Sequence, residues 1–194
     1  MRGDHPKITR PIEPARTVKR EVGPRVRAVP AGDDRERLVC PECTFIEYAN
    51  PKVVVGAVVR WEQKILLCRR AISPRPGYWT LPAGYLELHE TAQAGALREV
   101  WEEAQARVEL DGLIAVYNVP RLSLVQLMFR ARLLDGKFAP GPESTEVGLF
   151  GWDEIPWDEL AFPSTHWALH HYREIGDAPE FAARTNPPGE LGDY

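Results

Sequence analysis

Between Gly84 and Ala106 the chain reads GYLELHETAQAGALREVWEEAQA. Thr91 is a good N-cap, and the small residues Ala92, Ala94, Gly95 and Ala96 after it suit close packing on a sheet. The pattern predicts a helix over about residues 92–104. Within it Glu99, Glu102 and Glu103 stand at i, i+3 and i+4, so they share a helical face. Like charges at those spacings destabilise a helix. Either the acids bind a hard divalent cation through their oxygens, or they form a solvated acidic face partnered by Arg98.

Gly84, Glu90 and Arg98 join the three acids at fixed offsets. Residues of these types each make up roughly 6–7% of average proteins, so a chance match of all six is on the order of 10⁻⁵ for this length. The segment resembles the Nudix box: Gly, five residues, Glu, seven residues, then Arg-Glu-apolar-x-Glu-Glu-x-Gly-apolar. Val100 fills the apolar slot and Ala106 the last position. Gln105 departs, standing where the family has Gly. A residue just past a helix often takes the left-handed conformation, which costs a non-glycine side chain about 1 kcal/mol. No metal ligand is affected.

The resemblance implies metal-assisted hydrolysis of a phosphoanhydride. Glu99, Glu102 and Glu103 would hold Mg²⁺ or Mn²⁺, with Glu99 and Glu103 foremost and the Gly84 carbonyl completing the shell. One of the three, or a loop acid, would serve as general base. Arg98 would pair with Glu90 and hold the loop onto the helix.

Outward from the box, KVVVGAVVR (52–60) and KILLCRR (64–70) read as β-branched or apolar strands joined by a short turn. SPRPGYWTLPAG reads as a Pro/Gly-rich loop, and RVEL, GLIAVYNV and LVQLMFRARLL as strands after the helix. PGPESTE reads as a loop, VGLFGWDEI as a last strand, and Ser164–Ile175 as a second helix. Strands alternating with two helices place the chain in the α/β class as an α/β/α sandwich. The resemblance specifies the Nudix fold, with a mixed sheet between helices. The expected organisation is an extended, Pro-broken arm over residues 1–36, a degenerate zinc-ribbon remnant over 37–50, a Nudix domain over 51–176 and a frayed tail over 177–194.

Several residues outside the box are candidates. The loop PGPESTE supplies Glu143 and Glu146; similar enzymes of the ADP-ribose pyrophosphatase kind place an acid there, and Glu146 is preferred because it adjoins the following strand. Arg69 and Arg70 end the second strand, where a guanidinium could fork onto a phosphate. Tyr85 offers a face on which a ring could stack, whereas Trp79 reads as structural. Cys40-Pro-Glu-Cys43 is half of a zinc ribbon. Structural zinc takes four ligands, and the upstream stretch where similar chains carry a second Cys pair holds neither Cys nor His. The expectation is a knuckle without Zn²⁺. Cys68 falls in a core strand. His166 and His170, at i and i+4, read as surface or interface histidines.

The resemblance to zinc-ribbon-linked hydrolases related to FAD and ADP-ribose pyrophosphatases extends over about residues 38–175. It implies a nucleoside diphosphate linked to another moiety as substrate and a homodimer as the assembly. The SQPWPFPxS signature of NADH pyrophosphatases is absent downstream of the box, which favours FAD, ADP-ribose or a similar dinucleotide. A triphosphate pyrophosphohydrolase would share the box, and a non-catalytic nucleotide-binding module would be expected to lose its acids. A formal charge of −4 gives no polyanion footprint, so no nucleic-acid partner is expected. No apolar run approaches a membrane span, and three cysteines argue against a disulfide framework, so a cytoplasmic location is expected.

Overall fold

The computed structural model describes residues 22–192, so most of the predicted arm lies outside the described residues. The chain divides at Ala49/Asn50 into two units. In the first, β1 (Val26–Ala28), β2 (Arg37–Val39) and β3 (Ile46–Glu47) form a small antiparallel sheet. β1 thus falls inside the stretch read as an irregular arm. Its three residues are too short a run for periodicity to reveal. The Cys40–Phe45 turn closes on itself: the Thr44 N–H donates to the Cys40 carbonyl at 2.9 Å, and the Cys40 N–H donates to the Phe45 carbonyl at 2.8 Å.

The second unit is built on β4 (Lys52–Trp61), β5 (Lys64–Arg70), β6 (Trp79–Thr80), β7 (Ala83–Tyr85), β8 (Val108–Val119), β9 (Leu124–Leu133) and β10 (Ser144–Gly151). Their order is β10-β5-β4-β9-β8, with β6 on β5 and β7 on β4. β4 and β9 run parallel and every other pairing is antiparallel, the expected mixed sheet. β4 is apolar throughout because both its faces are covered. Val55, Ala57 and Val59 pack under α1 (Ala92–Ala104), with Ala96, Val100 and Ala104. Val58 faces the other way, with Leu67, Tyr117 and residues of α2 (Pro163–Ile175) such as Trp167 and Leu169. The sandwich predicted from the alternation is present.

Four local readings differ. RVEL and GLIAVYNV form the single strand β8, which absorbs Gly112 in a register shift between Leu110 and Leu113. β6 and β7 lie within the stretch read as a loop; both are short, and their Pro and Gly neighbours hide them. The last strand starts and ends earlier than predicted, at Ser144 and Gly151, and Trp152–Glu154 is a 3-10 turn. The segment read as a frayed tail is anchored to the free edge of β8. The Val116 N–H donates to the Arg184 carbonyl at 2.9 Å, and the Asn186 side chain brackets the Asn118 peptide with two hydrogen bonds of 2.8 Å. A strand edge offers unpaired backbone groups, and this segment satisfies several of them.

Candidate active site

The helix that carries the acids is capped at both ends. The Thr91 hydroxyl accepts from the Ala94 N–H at 3.1 Å, as the sequence suggested. At the far end Gln105 sits at φ 47° and ψ 31°, the left-handed conformation expected where the family has Gly, and its N–H donates to the Trp101 carbonyl.

One helical face does not treat its three acids alike. Glu99 and Glu103 lie on the buried side, 8% and 6% exposed, while Glu102 stands in the open. Arg98 gathers the group. Its Nε and Nη2 donate to the two Glu90 oxygens at 3.1 and 2.7 Å, the fork predicted to hold the loop onto the helix. Its Nη1 reaches Glu99 at 2.7 Å and Glu102 at 2.9 Å, and Nη2 also donates to the Tyr85 carbonyl at 3.0 Å. Glu103 Oε2 accepts from the Ala83 N–H at 3.2 Å. Among the described residues no three Asp, Glu, His or Cys side chains converge as a ready chelate; in the acid cluster Arg98 occupies the Glu99 and Glu102 oxygens.

Burial raises the carboxyl pKa of Glu103 to about 8, with the negative charges of Glu99 and Glu143 adding to it. Glu99 is raised as well, by burial first, against the opposing hydrogen bond from Arg98. Gly84 faces this cluster. A Cβ at Gly84 would stand 2.3 Å from Glu99 Oε2 and 2.5 Å from Oε1, so the glycine makes room for a carboxylate against the backbone.

Glu143 arrives by way of the helix end. The last carbonyls of a helix lack intrahelical partners. Here the Ala139 N–H donates to the Ala104 carbonyl at 2.9 Å and the Gly141 N–H to the Glu103 carbonyl at 3.0 Å. A Cβ at Gly141 would overlap the Glu102 carbonyl, so only glycine permits this docking. The loop is thereby pressed to the helix, and Glu143 lines the same cavity as Glu99, Glu102 and Glu103. Glu146, preferred from the sequence, does not line it. It lies on β10 beyond a register shift, opposite Arg69, and pairs with that guanidinium at 3.5 Å. Although Glu146 adjoins the strand, residues 143 and 146 have different settings across the shift.

The two arginines separate likewise. Arg70 lines the cavity; its Nε donates to the Pro74 carbonyl at 2.7 Å and its guanidinium lies 5.1 Å from the Phe162 ring centre. Arg69 does not line it, donating to the Gly77 carbonyl and lying over Trp79. Trp79 is core, edge-on to Phe150 at 4.9 Å, consistent with a structural role. Tyr85 lines the cavity with its ring half-exposed and the Lys52 ammonium 5.1 Å from the ring centre. The cavity encloses about 980 Å³. Away from the acids its wall is formed by Val119, Leu122, Leu124, Gln126 and Met128, which no sequence motif marked.

Outside this unit's cavity, Cys40 is buried and Cys43 exposed, and the Cys40 thiol donates to Glu42 at 3.1 Å. Arg25, just before β1, pairs with that Glu42 carboxylate. Cys68 is buried in β5 and its thiol pKa is pushed up by burial. His166 and His170 lie against the Trp157 ring, at 5.8 and 5.2 Å between centres.

Comparison with known proteins agrees with this geometry. The Nudix domain profile matches residues 50–175, and a Nudix N-terminal zinc-ribbon profile matches residues 23–49. A crystal structure of a Nudix hydrolase from Nitrosomonas europaea is 50% identical, with a TM-score of 0.78 over 83% of this chain and 93% of that one. An ADP-ribose pyrophosphatase structure from Streptococcus suis is 26% identical, with a TM-score of 0.59 over 71% of this chain and all of that one. Among curated proteins, a MutT-like protein of Streptomyces ambofaciens is 43% identical over 53% of the chain, and an ADP-ribose pyrophosphatase of Methanocaldococcus jannaschii is 29% identical over 59%. The NAD-capped RNA hydrolase NudC of Pseudomonas aeruginosa is 31% identical over 63%. The chain spans 64%, 69% and 45% of the lengths of these three relatives. With the profile covering well over half its residues, and the box residues gathered around Arg98 on a mixed sheet between helices, this chain belongs to the Nudix family.

Proposed function

We propose that this protein hydrolyses the phosphoanhydride bond of a nucleoside diphosphate linked to another moiety, ADP-ribose or FAD being the models, and releases a nucleoside monophosphate. The observation that carries the proposal is one cavity with two unlike ends: carboxylates at Glu99, Glu102, Glu103 and Glu143, and an apolar wall. The acidic end suits phosphates and the apolar wall the ring of a nucleoside; the choice of a linked diphosphate over a triphosphate is supported by the likeness to ADP-ribose pyrophosphatases.

The acids fit a divalent cation. Two are buried with raised pKa values, because burial strips solvent from both carboxylates and the bond from Arg98 does not offset it at Glu99, and Gly84 leaves the space a Cβ would fill beside Glu99. Glu99, Glu102 and Glu103 would hold Mg²⁺ or Mn²⁺, with the Gly84 carbonyl beside them. Bound there, the ion would neutralise the diphosphate and acidify water. Arg98 keeps the loop at Glu90 against the helix, so that the ligands stay in register. Arg70, on the cavity wall, places positive charge where phosphate oxygens would lie. Glu143 is assigned as general base: it takes a proton from the attacking water while the bond from phosphorus to the bridging oxygen breaks. Tyr85 offers its ring to the substrate. The homodimer and the cytoplasmic location are proposed from the family resemblance and the free cysteines; no helix among the described residues is long and apolar enough to cross a membrane.

The test is a hydrolysis screen of ADP-ribose, FAD, NADH and nucleoside triphosphates with Mg²⁺, Mn²⁺ or chelator, with products identified. Two monophosphates from ADP-ribose, dependent on metal, support the proposal. Pyrophosphate released from a triphosphate, with dinucleotides untouched, overturns it.

A further inference from the structure

Gln126 sits in the middle of β9, an amide in the strand LVQLMFRARL. Its Oε1 is shielded from solvent and accepts no hydrogen bond among the described residues. A buried acceptor left without a donor is costly and uncommon, so this oxygen calls for an explanation. Gln126 also lines the cavity, and its neighbours on the same face of β9, Leu124 and Met128, line it too.

The sheet fixes where this amide stands relative to the acids. Gln126 pairs with Val54 across β4, and Val54 pairs with Tyr85 across β7. The three side chains therefore lie in one row on one face, and all three line the cavity. Two strand spacings separate Gln126 from Tyr85, about 10 Å. Gly84, the residue under Glu99, is the next residue along from Tyr85 and so faces the opposite side of the sheet, with Val55 and α1; the cavity is lined from both sides and joins them. A nucleotide with its phosphates at the acids and its base laid over this row would bring the base edge to Gln126. Val119, Leu122 and Gly192 wall that end, and Gly192 is held there by the segment anchored to β8 through Asn186.

We propose that Gln126 is the specificity-determining residue for the base and that it selects adenine, a reading that rests on the cavity being a nucleotide site. The unsatisfied group is an oxygen that faces away from solvent; a turn of the side chain brings it to the cavity, where it asks for a donor. The exocyclic amine of adenine supplies one, and an adjacent ring nitrogen accepts from the amide Nε2, the bidentate pairing that glutamine makes with adenine elsewhere. Hypoxanthine presents a carbonyl in place of the amine and sets acceptor against acceptor.

The experiment compares ADP-ribose with inosine diphosphate ribose in turnover, and AMP with IMP in calorimetric binding, for the wild type and Gln126→Met. Wild type should favour adenine by roughly tenfold to a hundredfold, the range of one bidentate base contact. Gln126→Met should raise KM for ADP-ribose by about that factor with kcat little changed, and the base preference should vanish. Equal use of the two bases by wild type, by an amide that turns over to suit either, overturns the proposal. So does a preference that survives in a folded Gln126→Met. If that variant does not fold, Gln126→Glu, which replaces the amide donor by a carboxylate oxygen, must cut the preference several-fold. Selective AMP binding through Gln126 without cleavage of either dinucleotide leaves the base reading standing and removes the hydrolytic one; cleavage without preference does the reverse.

Discussion

The Glu99 carboxylate rests directly over Gly84, so close that a single added carbon would come within 2.3 Å of Oε2. Gly84→Ala should displace that carboxylate and lower kcat by an order of magnitude or more. Since the clash is with the end of a side chain, the melting temperature should fall by only a few degrees. Thermal melts and initial rates on the same preparation check this; undiminished turnover would refute the assignment of Glu99.

Glu143 and Glu146 are three residues apart, one at the end of a loop and the other on β10, and of the two only Glu143 lines the cavity. Glu143→Gln should lower kcat roughly a hundredfold or more, as expected when a general base is lost, with KM little changed. Glu146→Gln should alter kcat less than about threefold, since it removes only an exposed pair with Arg69. Steady-state kinetics of the two variants decide between the loop acids.

Glu103 has its pKa raised from 4.5 to about 8. A carboxyl that holds its proton more tightly folded than unfolded contributes stability below its ordinary pKa and loses that contribution as pH rises through about 8. In chelator, wild-type stability should therefore fall between pH 5 and 8 relative to Glu103→Gln, with a slope of at most ~1.4 kcal/mol per pH unit for this one group. Denaturant titrations across that range measure it. Parallel pH profiles for the two proteins would show that the raised value is wrong.

Gln105 occupies a left-handed position that costs a non-glycine residue about 1 kcal/mol. Its side chain makes only a long 3.4 Å contact to the Pro140 carbonyl. Gln105→Gly should leave stability unchanged or raise it by up to ~1 kcal/mol, read as the midpoint of urea unfolding. A clear drop would mean that the contact to Pro140 matters more than the backbone strain.

Arg130 is 3% exposed and donates to the carbonyls of Gly176 and Ala178 at 2.8 and 3.0 Å, while pairing with Asp111 at 2.8 Å. It ties the end of α2 to β8 and β9. Arg130→Met should cost on the order of 3 kcal/mol, because the carbonyls and Asp111 lose their partner together. Activity of the folded fraction at low temperature should persist.

What could be read in the chain followed from strong local signals. The β-branched run of β4, the Thr91 cap and the spacing of Gly84, Glu90 and Arg98 each depend on near neighbours, and the structure has them as predicted. What stayed hidden depends on contacts distant in sequence. β6 and β7 exist because β5 and β4 pair with them, not because two or three residues prefer extended backbone. Gly141 docks on a helix nearly forty residues upstream, and that docking rather than any motif sets Glu143 in the cavity. Gln126 is the one uncharged polar residue in β9, and only the row through Val54 and Tyr85 gives it meaning.

Arg98 has a consequence for the order in which ligands can bind. A guanidinium has five N–H groups, and here each has an acceptor: two on Glu90, one each on Glu99 and Glu102, and the Tyr85 carbonyl. With the carboxylates ionised, one positive charge serves three negative ones, and the surplus of two negatives matches the charge of a divalent ion. An incoming cation competes with Arg98 only at Glu99 and Glu102; the grip on Glu90 and Tyr85 need not loosen. The arginine can thus yield two of its five contacts without letting go of the loop, so that the site is held assembled before its ion arrives.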